Sequence, residues 1–277
     1  MSLVTLTEAD RPRLESLLAA APLDTLFLAS RIERFGLDAS KLGCPVIGVI
    51  RSGQLVAAVH AGANLAPVGD PSAFGEVIEQ LGQRVRTQSI LGPAHLVQPL
   101  YTGLVQRWGT SWAQVRELRA HQPVMVYRAG DPLPVTPDPR LRMATPADLD
   151  SYFAAAVRMY TEEVGNSPFD MSDSYHQYVR YLVTDGRAFG AFEGQRTWFK
   201  TDVGAAYGQV CQVQGVWLEP ALRGNGLSEP LMAAALQLAA QRWPLVSLYV
   251  NDYNLRARRV YDRLGLEVVG EFATVLY

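Results

Sequence analysis

The stretch Pro220-Ala-Leu-Arg-Gly-Asn-Gly-Leu-Ser228 lies where a predicted strand ends and a long amphipathic helix begins. Upstream, residues 209–218 are rich in Val with Gln interleaved, which is typical of a strand. Downstream, Leu231, Ala235 and Leu238 recur at helical spacing. The sequence therefore predicts a strand, a glycine-containing loop and a helix, in that order.

The loop of this unit has the composition of a diphosphate-binding turn. Gly224 and Gly226 allow the backbone to direct its N–H groups inward without steric cost. The start of the following helix adds unpaired N–H donors and the positive end of the helix dipole. Arg223 adds a fixed positive charge and a planar set of donors. The alternative is a plain tight turn between a strand and a helix.

A second segment follows at a fixed distance along the chain. Residues 246–250 form a short apolar run that predicts another strand. Behind it, Asn254, Ala257, Tyr261 and Gly265 are separated by three, four and four residues. This spacing places them near one face of a helix that ends at a glycine.

The two segments together resemble the GNAT superfamily of acyl-CoA-dependent N-acetyltransferases. The family's pyrophosphate motif, Gln/Arg-x-x-Gly-x-Gly/Ala, corresponds to residues 223–228, with Ser228 where the family usually has Gly or Ala. The Asn254 to Gly265 segment corresponds to the family's Asn and Tyr helix. The resemblance implies an α/β fold with a mixed central sheet flanked by helices, and acetyl-CoA as co-substrate.

The resemblance also implies where the cofactor binds. The strand that ends at residues 215–218 is expected to diverge from the next strand, so that the pantetheine arm lies in the gap and backbone groups of Val216 and Leu218 polarise the acetyl carbonyl. Gly215 is consistent with a bulge there, although a plain strand with one glycine has the same composition. The expected cofactor-binding residues are Val216, Trp217, Leu218, Arg223, Gly224, Asn225, Gly226, Leu227, Ser228, Asn254 and Arg258.

Two residues are the candidates for catalysis. Tyr261 is the expected acid for the leaving thiolate, the alternative being an aromatic residue that only packs on its helix. Glu219 follows the strand that would hold the acetyl group and is the nearest candidate in sequence for the general base, although its side chain could face away. Other candidates for the base are Glu162, Glu163, His176 and Asp202.

Composition limits the other classes of function. The chain has 277 residues, 48% hydrophobic and 19% charged, with a formal net charge of −2. With no basic run, neither nucleic acid nor an anionic membrane is an expected partner. No segment resembles a signal peptide or a membrane span, which makes the cytoplasm the expected location. The four histidines are scattered without metal-ligand spacing, so no metal is expected.

Proline-rich residues 131–139 predict a linker between residues 1–130 and residues 140–277. Both halves begin alike, with a hydroxyl cap and a carboxylate three residues later at Thr7 and Thr145. Both also predict a hairpin, with turns at residues 52–53 and 193–194. Because tandem GNAT proteins exist, we interpret residues 1–130 as a degenerate GNAT-like domain without a cofactor motif, the alternative being an unrelated α/β domain. Its nearest equivalent of the phosphate loop, residues 67–71, contains Asp70, which would repel a phosphate.

The expected activity is acetyl transfer to a primary amine by direct attack, in the domain at residues 140–277. The expected acceptor is a small-molecule amine or a protein amine. The sequence does not decide whether the protein forms a homodimer. Residues 164–173 form a polar, acidic segment with a Phe, which suits a cationic amine or a surface loop. The alternative function is a non-catalytic acyl-CoA sensor or scaffold.

Overall fold

A computed structural model describes residues 2–164 and 174–277 of the chain, which has a mixed α/β architecture. The strands are β1 (Ser2–Thr5), β2 (Val46–Arg51), β3 (Gln54–Ala61), β4 (Asn64–Gly69), β5 (Ser89–Pro93), β6 (Glu117–Arg128), β7 (Leu141–Met143), β8 (Ala188–Glu193), β9 (Arg196–Tyr207), β10 (Val210–Leu218), β11 (Leu245–Tyr249) and β12 (Glu267–Leu276). The helices are α1 (Arg11–Ala19), α2 (Leu26–Phe35), α3 (Ala39–Leu42), α4 (Phe74–Leu81), α5 (Ala94–Trp108), α6 (Thr110–Ala113), α7 (Leu149–Val164), α8 (Ser174–Thr184), α9 (Ser228–Ala240) and α10 (Leu255–Arg263).

The chain divides into two compact units. The first contains residues up to 124 together with residues 249–253 and 268–277. The second contains residues 125–248 and 254–267. These two units are groups of residues that lie close together in space. The division into functional domains at residues 1–130, 131–139 and 140–277 stays a prediction.

In the first unit, strands β1 to β4 pair antiparallel in sequence order, and β4 then pairs parallel with β5. The last strand of the chain, β12, completes this unit by pairing antiparallel with β5, with Ser89 opposite Leu276. Ala273 of β12 lies in the same buried core as Phe74 and Trp112. The N-terminal unit therefore depends on the C-terminal end of the chain.

The second unit repeats this order of pairing. Strands β7 to β10 pair antiparallel in sequence order, and β10 pairs parallel with β11. Residues 125–128 at the end of β6 belong to this unit, where Ala129 N donates to Pro244 O at 2.8 Å. The internal repeat predicted from the sequence is confirmed at the level of strand topology.

Local sequence signals account for the matching starts of the two units. Thr7 N donates to the Asp10 carboxylate at 3.0 Å, and Thr145 N donates to Asp148 at 2.8 Å. The two predicted hairpins are present as β2–β3 and β8–β9. Each follows from a short-range rule for caps or glycine-containing turns.

The loop after β4 in the first unit carries its own anion. The Asp70 carboxylate accepts from Ser72 N at 2.9 Å and lies 3.2 Å from an Arg51 guanidinium nitrogen. A resident carboxylate therefore occupies the start of the short helix at residues 71–73. A phosphate at this position would meet the Asp70 carboxylate, and the absence of a cofactor site from this unit stays a prediction.

No helix within residues 2–164 and 174–277 is long and apolar enough to cross a membrane.

Candidate active site

The end of β10 diverges from β11 in the second unit. The two strands are in register over only three pairs, from Val210 opposite Leu245 to Gln212 opposite Ser247, whereas β10 continues to Leu218. The predicted divergence is therefore present. Backbone groups along the β11 side of residues 213–218 fall outside the β10–β11 ladder, so they can pair with an extended ligand.

A bulge interrupts β10 in the same segment. On the β9 side, Gln214 pairs with Asp202 and Trp217 pairs with Lys200, so that two residues of β10 lie opposite one of β9. Gly215 within the bulge has a φ of +60°, a conformation that glycine adopts without steric cost. The bulge at Gly215 that the sequence suggested is confirmed.

The loop between β10 and α9 presents an open backbone surface. Gly224 and Gly226 have φ values of +85° and +73°, and apart from each glycine's chain neighbours no atom of the described residues lies within 4 Å of where a Cβ would be. Leu227 precedes α9 without a side-chain cap, and Ser228 is the first residue of the helix. Asn225 Nδ2 donates back to Leu222 O at 3.3 Å, which closes the turn. The first amides of α9 are therefore available to an anion.

Arg223, predicted to contact the diphosphate, is held by the protein itself. Its Nε donates to Leu218 O at 2.8 Å, and its Nη2 donates to Glu162 Oε2 at 2.6 Å. Glu162 Oε1 also accepts from Trp217 Nε1 at 3.1 Å. Burial opposes ionisation of Glu162, but the hydrogen bonds from Arg223 and Trp217 outweigh it and lower the pKa of the carboxyl. While paired in this way, Glu162 is a poor proton acceptor.

The second predicted segment forms α10. Asn254 Oδ1 accepts from Ala257 N at 3.2 Å, so this side chain caps the helix. Tyr261 is buried, with 6% of its surface exposed. Burial, and then the charge of Glu163, raises the pKa of the Tyr261 hydroxyl, so the phenol stays protonated at neutral pH. Arg258 is half-buried on the same helix.

Glu219 is directed toward the β8–β9 hairpin. Its carboxylate accepts from Arg196, and its backbone N donates to Trp198 O at 2.9 Å. Together with Ser151 and Arg158 of α7, it lines a cavity of about 230 Å³. An ion-paired carboxylate placed on the hairpin side of the unit gives no structural support to Glu219 as the general base.

The other candidates for the base occupy different environments. Asp202 is buried in an ion pair with Lys200. His176 lies on α8 with its ring packed edge-on against Phe153 at 4.7 Å. Glu163 is exposed near the end of α7. The acidic segment at residues 164–173, considered for the acceptor, lies outside the fully described residues.

Sequence reasoning missed Lys200 entirely. Lys200 and Asp202 are two residues apart in a mostly apolar strand, Thr197-Trp-Phe-Lys-Thr-Asp-Val203. Alternate residues of a strand face the same side, so this spacing was the available signal for a buried pair.

No group of three or more metal-ligating side chains lies together within the parts of the chain that the structure describes. The second unit thus combines a glycine-containing loop before an uncapped helix start, a diverging strand with a bulge, and a buried phenol. It is suited to an extended ligand that ends in an anion.

Comparison with known proteins agrees with this class of fold. A GCN5-related N-acetyltransferase from Sphaerobacter thermophilus shares 16% identity over 99% of this chain and 94% of its own, with a TM-score of 0.61. An acetyltransferase of the GNAT family from Colwellia psychrerythraea shares 11% identity over 100% of both chains, with a TM-score of 0.59. A tandem GNAT protein from the clavulanic acid biosynthesis pathway shares 16% identity over 99% of this chain and 97% of its own, with a TM-score of 0.57.

Family models assign the two halves differently. Residues 147–266 match the acetyltransferase (GNAT) family, and residues 44–152 match a domain of unknown function, DUF4081. No curated protein matches the chain. The chain thus carries an acetyltransferase domain of the GNAT family at residues 147–266, and the resemblance inferred from the sequence motifs is confirmed.

Proposed function

We propose that the second unit transfers an acetyl group from acetyl-CoA to a primary amine by direct attack. The observation that carries the proposal is the combination, in one unit, of the uncapped α9 start behind Gly224 and Gly226 with the unpaired edge of β10 beyond Gln212. The first suits a diphosphate, and the second suits an amide-containing arm that pairs like a strand. Acetyl-CoA has both groups.

The residues of β10 would orient the thioester. Backbone N–H groups near Val216 and Leu218, at the bulge and beyond it, are placed to polarise the acetyl carbonyl. The amine nitrogen forms a C–N bond to the carbonyl carbon as the C–S bond breaks. The nitrogen loses one proton, the departing sulfur gains one, and the products are an amide and free CoA.

Tyr261 is the proposed donor to the departing sulfur. Its raised pKa keeps the phenol protonated, as a donor must be, but makes complete proton transfer less favourable than it is for an ordinary phenol. A hydrogen bond to the developing thiolate is therefore the role that the buried hydroxyl fits best.

Calorimetric titration with acetyl-CoA tests the binding half of this proposal. Saturable binding with one site per chain is expected, and absence of binding by well-folded protein would overturn it. Release of free CoA across a panel of small amines and peptides then tests transfer, after correction for hydrolysis. Saturable binding with no amine-dependent release in any member of the panel would instead favour a non-catalytic sensor.

A further inference from the structure

A buried polar cluster, formed by Tyr152 of α7 with Lys200 and Asp202 of β9, lies beneath the β10 bulge. Their exposed fractions are 0%, 1% and 4%. Lys200 Nζ lies 2.6 Å from Asp202 Oδ2, and the Tyr152 hydroxyl contacts Asp202 Oδ1. Nothing in the proposed chemistry uses these groups.

A contribution to stability does not explain why charged side chains are buried in this cluster. Removing two charges from water costs free energy that their mutual attraction only partly offsets. Apolar side chains of similar volume often replace such pairs without loss of stability. A buried Lys–Asp pair in a strand that otherwise packs as core therefore calls for a positional explanation.

The ion pair touches the bulge directly. Asp202 lies opposite Gln214 and Lys200 opposite Trp217, which places the pair on the two sides of the bulge. A Cβ on Gly215 would lie 2.8 Å from Asp202 Oδ2 and 2.9 Å from Lys200 Nζ. The two charged groups therefore occupy the space where a side chain at residue 215 would lie, and they pack against the Gly215 backbone.

Thr201, the β9 residue between them, has no partner in the β9–β10 register. Its carbonyl instead accepts from the Tyr152 hydroxyl at 2.9 Å. Its own hydroxyl donates to Gln214 O at 2.9 Å, just before the bulge. The bulge is therefore restrained both through the ion pair and through the strand opposite.

We propose that Tyr152, Lys200 and Asp202 are positioning residues that fix the bulge at Gly215, and with it the backbone of Val216 that faces the acyl thioester. The expected effect on catalysis rests on the proposed function, whereas the restraint of the bulge does not. Donors aimed at a developing charge must be held in place, since a displacement of about 1 Å costs on the order of a hundredfold in rate.

The test uses the full chain with Lys200→Met and Asp202→Leu combined, which removes both charges and approximately keeps the volume. Hydrogen exchange in peptides covering residues 210–218 needs no ligand and should become faster than in the wild type, while the unfolding temperature stays within a few degrees. With an amine substrate, kcat should fall about tenfold or more and KM for acetyl-CoA should change less. Unchanged exchange and unchanged kcat in a stable double variant would overturn the proposal.

Tyr152→Phe keeps the ring and removes only the hydroxyl, with its contacts to Thr201 O and Asp202 Oδ1, so it decides the question if the double variant does not fold. We expect faster exchange in residues 210–218 and a drop in kcat of about threefold to tenfold. Unchanged exchange in this variant would also overturn the proposal.

The control is Leu100→Ala in α5, which lowers stability in the buried core of the first unit, a cluster that contains none of Tyr152, Lys200 and Asp202. It should lower the unfolding temperature without faster exchange confined to residues 210–218. If wild-type protein does not bind acetyl-CoA, the proposed function fails, whereas the exchange measurement still tests the restraint of the bulge.

Discussion

Arg223 Nη2 donates to Glu162 Oε2 at 2.6 Å, joining the loop that precedes α9 to the last turns of α7. The pair is partly exposed, with 33% and 40% of the two side chains accessible. A diphosphate that entered the loop would meet this guanidinium already paired with a carboxylate. The carboxylate and the diphosphate would then compete for one cation.

Arg223→Glu should weaken acetyl-CoA binding by about tenfold or more, because it places a negative charge where a cation faces the diphosphate. Calorimetric titration measures the effect. Arg242→Glu makes the same change of charge at the far end of α9 and should leave the dissociation constant unchanged. Equal affinity in wild type and Arg223→Glu would remove Arg223 from the binding surface.

Glu162→Gln should strengthen acetyl-CoA binding by about twofold to fivefold. The substitution removes the competing charge but keeps a polar side chain beside Trp217, and the partial exposure of the pair limits the effect. Titration at two salt concentrations should show the difference shrinking as salt rises. Weaker binding would instead mean that Glu162 holds Arg223 in its binding conformation.

Tyr261→Phe should leave acetyl-CoA affinity within about twofold and lower kcat by about tenfold to a thousandfold. The ring stays in its buried position and only the hydroxyl is lost. Steady-state kinetics with an identified amine measure kcat, and titration measures affinity. Lost affinity with preserved kcat at saturation would show that the phenol only positions the cofactor.

His60 in the first unit should make stability depend on pH. Its Nδ1–H donates to Asn64 O at 2.8 Å, and its Nε2 accepts from Arg31 Nε at 3.1 Å. Burial lowers the pKa of His60 to about 4, so between pH 6.5 and pH 4 the unfolded chain binds a proton that the folded chain does not. Stability is present above this window and is lost as pH falls through it, by about 2 kcal/mol between pH 7 and pH 5.

Urea unfolding of wild type and His60→Gln at pH 7 and pH 5 measures this contribution. The variant should be less stable at pH 7, where the buried hydrogen bonds are intact, and its stability should change less between the two pH values. The same pH dependence in both proteins would assign the effect to other groups.

Deletion of residues 268–277 should disturb the N-terminal unit. Trp112 packs edge-on against Tyr277 at 5.6 Å, and β5 would lose its antiparallel partner. We expect red-shifted tryptophan emission and faster hydrogen exchange in residues 89–93. Val268→Ser combined with Val269→Ser alters exposed residues of the same strand and should have neither effect. Native exchange in β5 after the deletion would contradict this dependence.

Short-range features of the fold were predictable from the sequence. The caps at Thr7 and Thr145, the hairpin turns, and the helix that starts at Ser228 depend on residues a few positions apart. The strand and helix on either side of the phosphate loop followed from the same local rules. These features locate the candidate site along the chain.

Long-range features were not predictable in this way. The pairing of Ser89 with Leu276 joins segments whose hydrophobic patterns do not identify their partners. The contact between Glu162 and Arg223 was not predictable either. A charged residue on a helix is usually solvated, and the residues near it in sequence do not indicate which partner it will have. Lys200 and Asp202 are two residues apart, the spacing that places both side chains on one face of a strand. Their burial, however, depends on the helix that covers them.

The position of β12 has a consequence for synthesis of the protein. During translation, β1 to β5 leave the ribosome well before β12, the strand that pairs with the edge of β5. The edge of β5 therefore stays open until residues 267–276 have been made, which is after all of residues 125–248 of the second unit. The first unit is therefore expected to complete its folding late, with β5 a segment for chaperones to shield until β12 has been made.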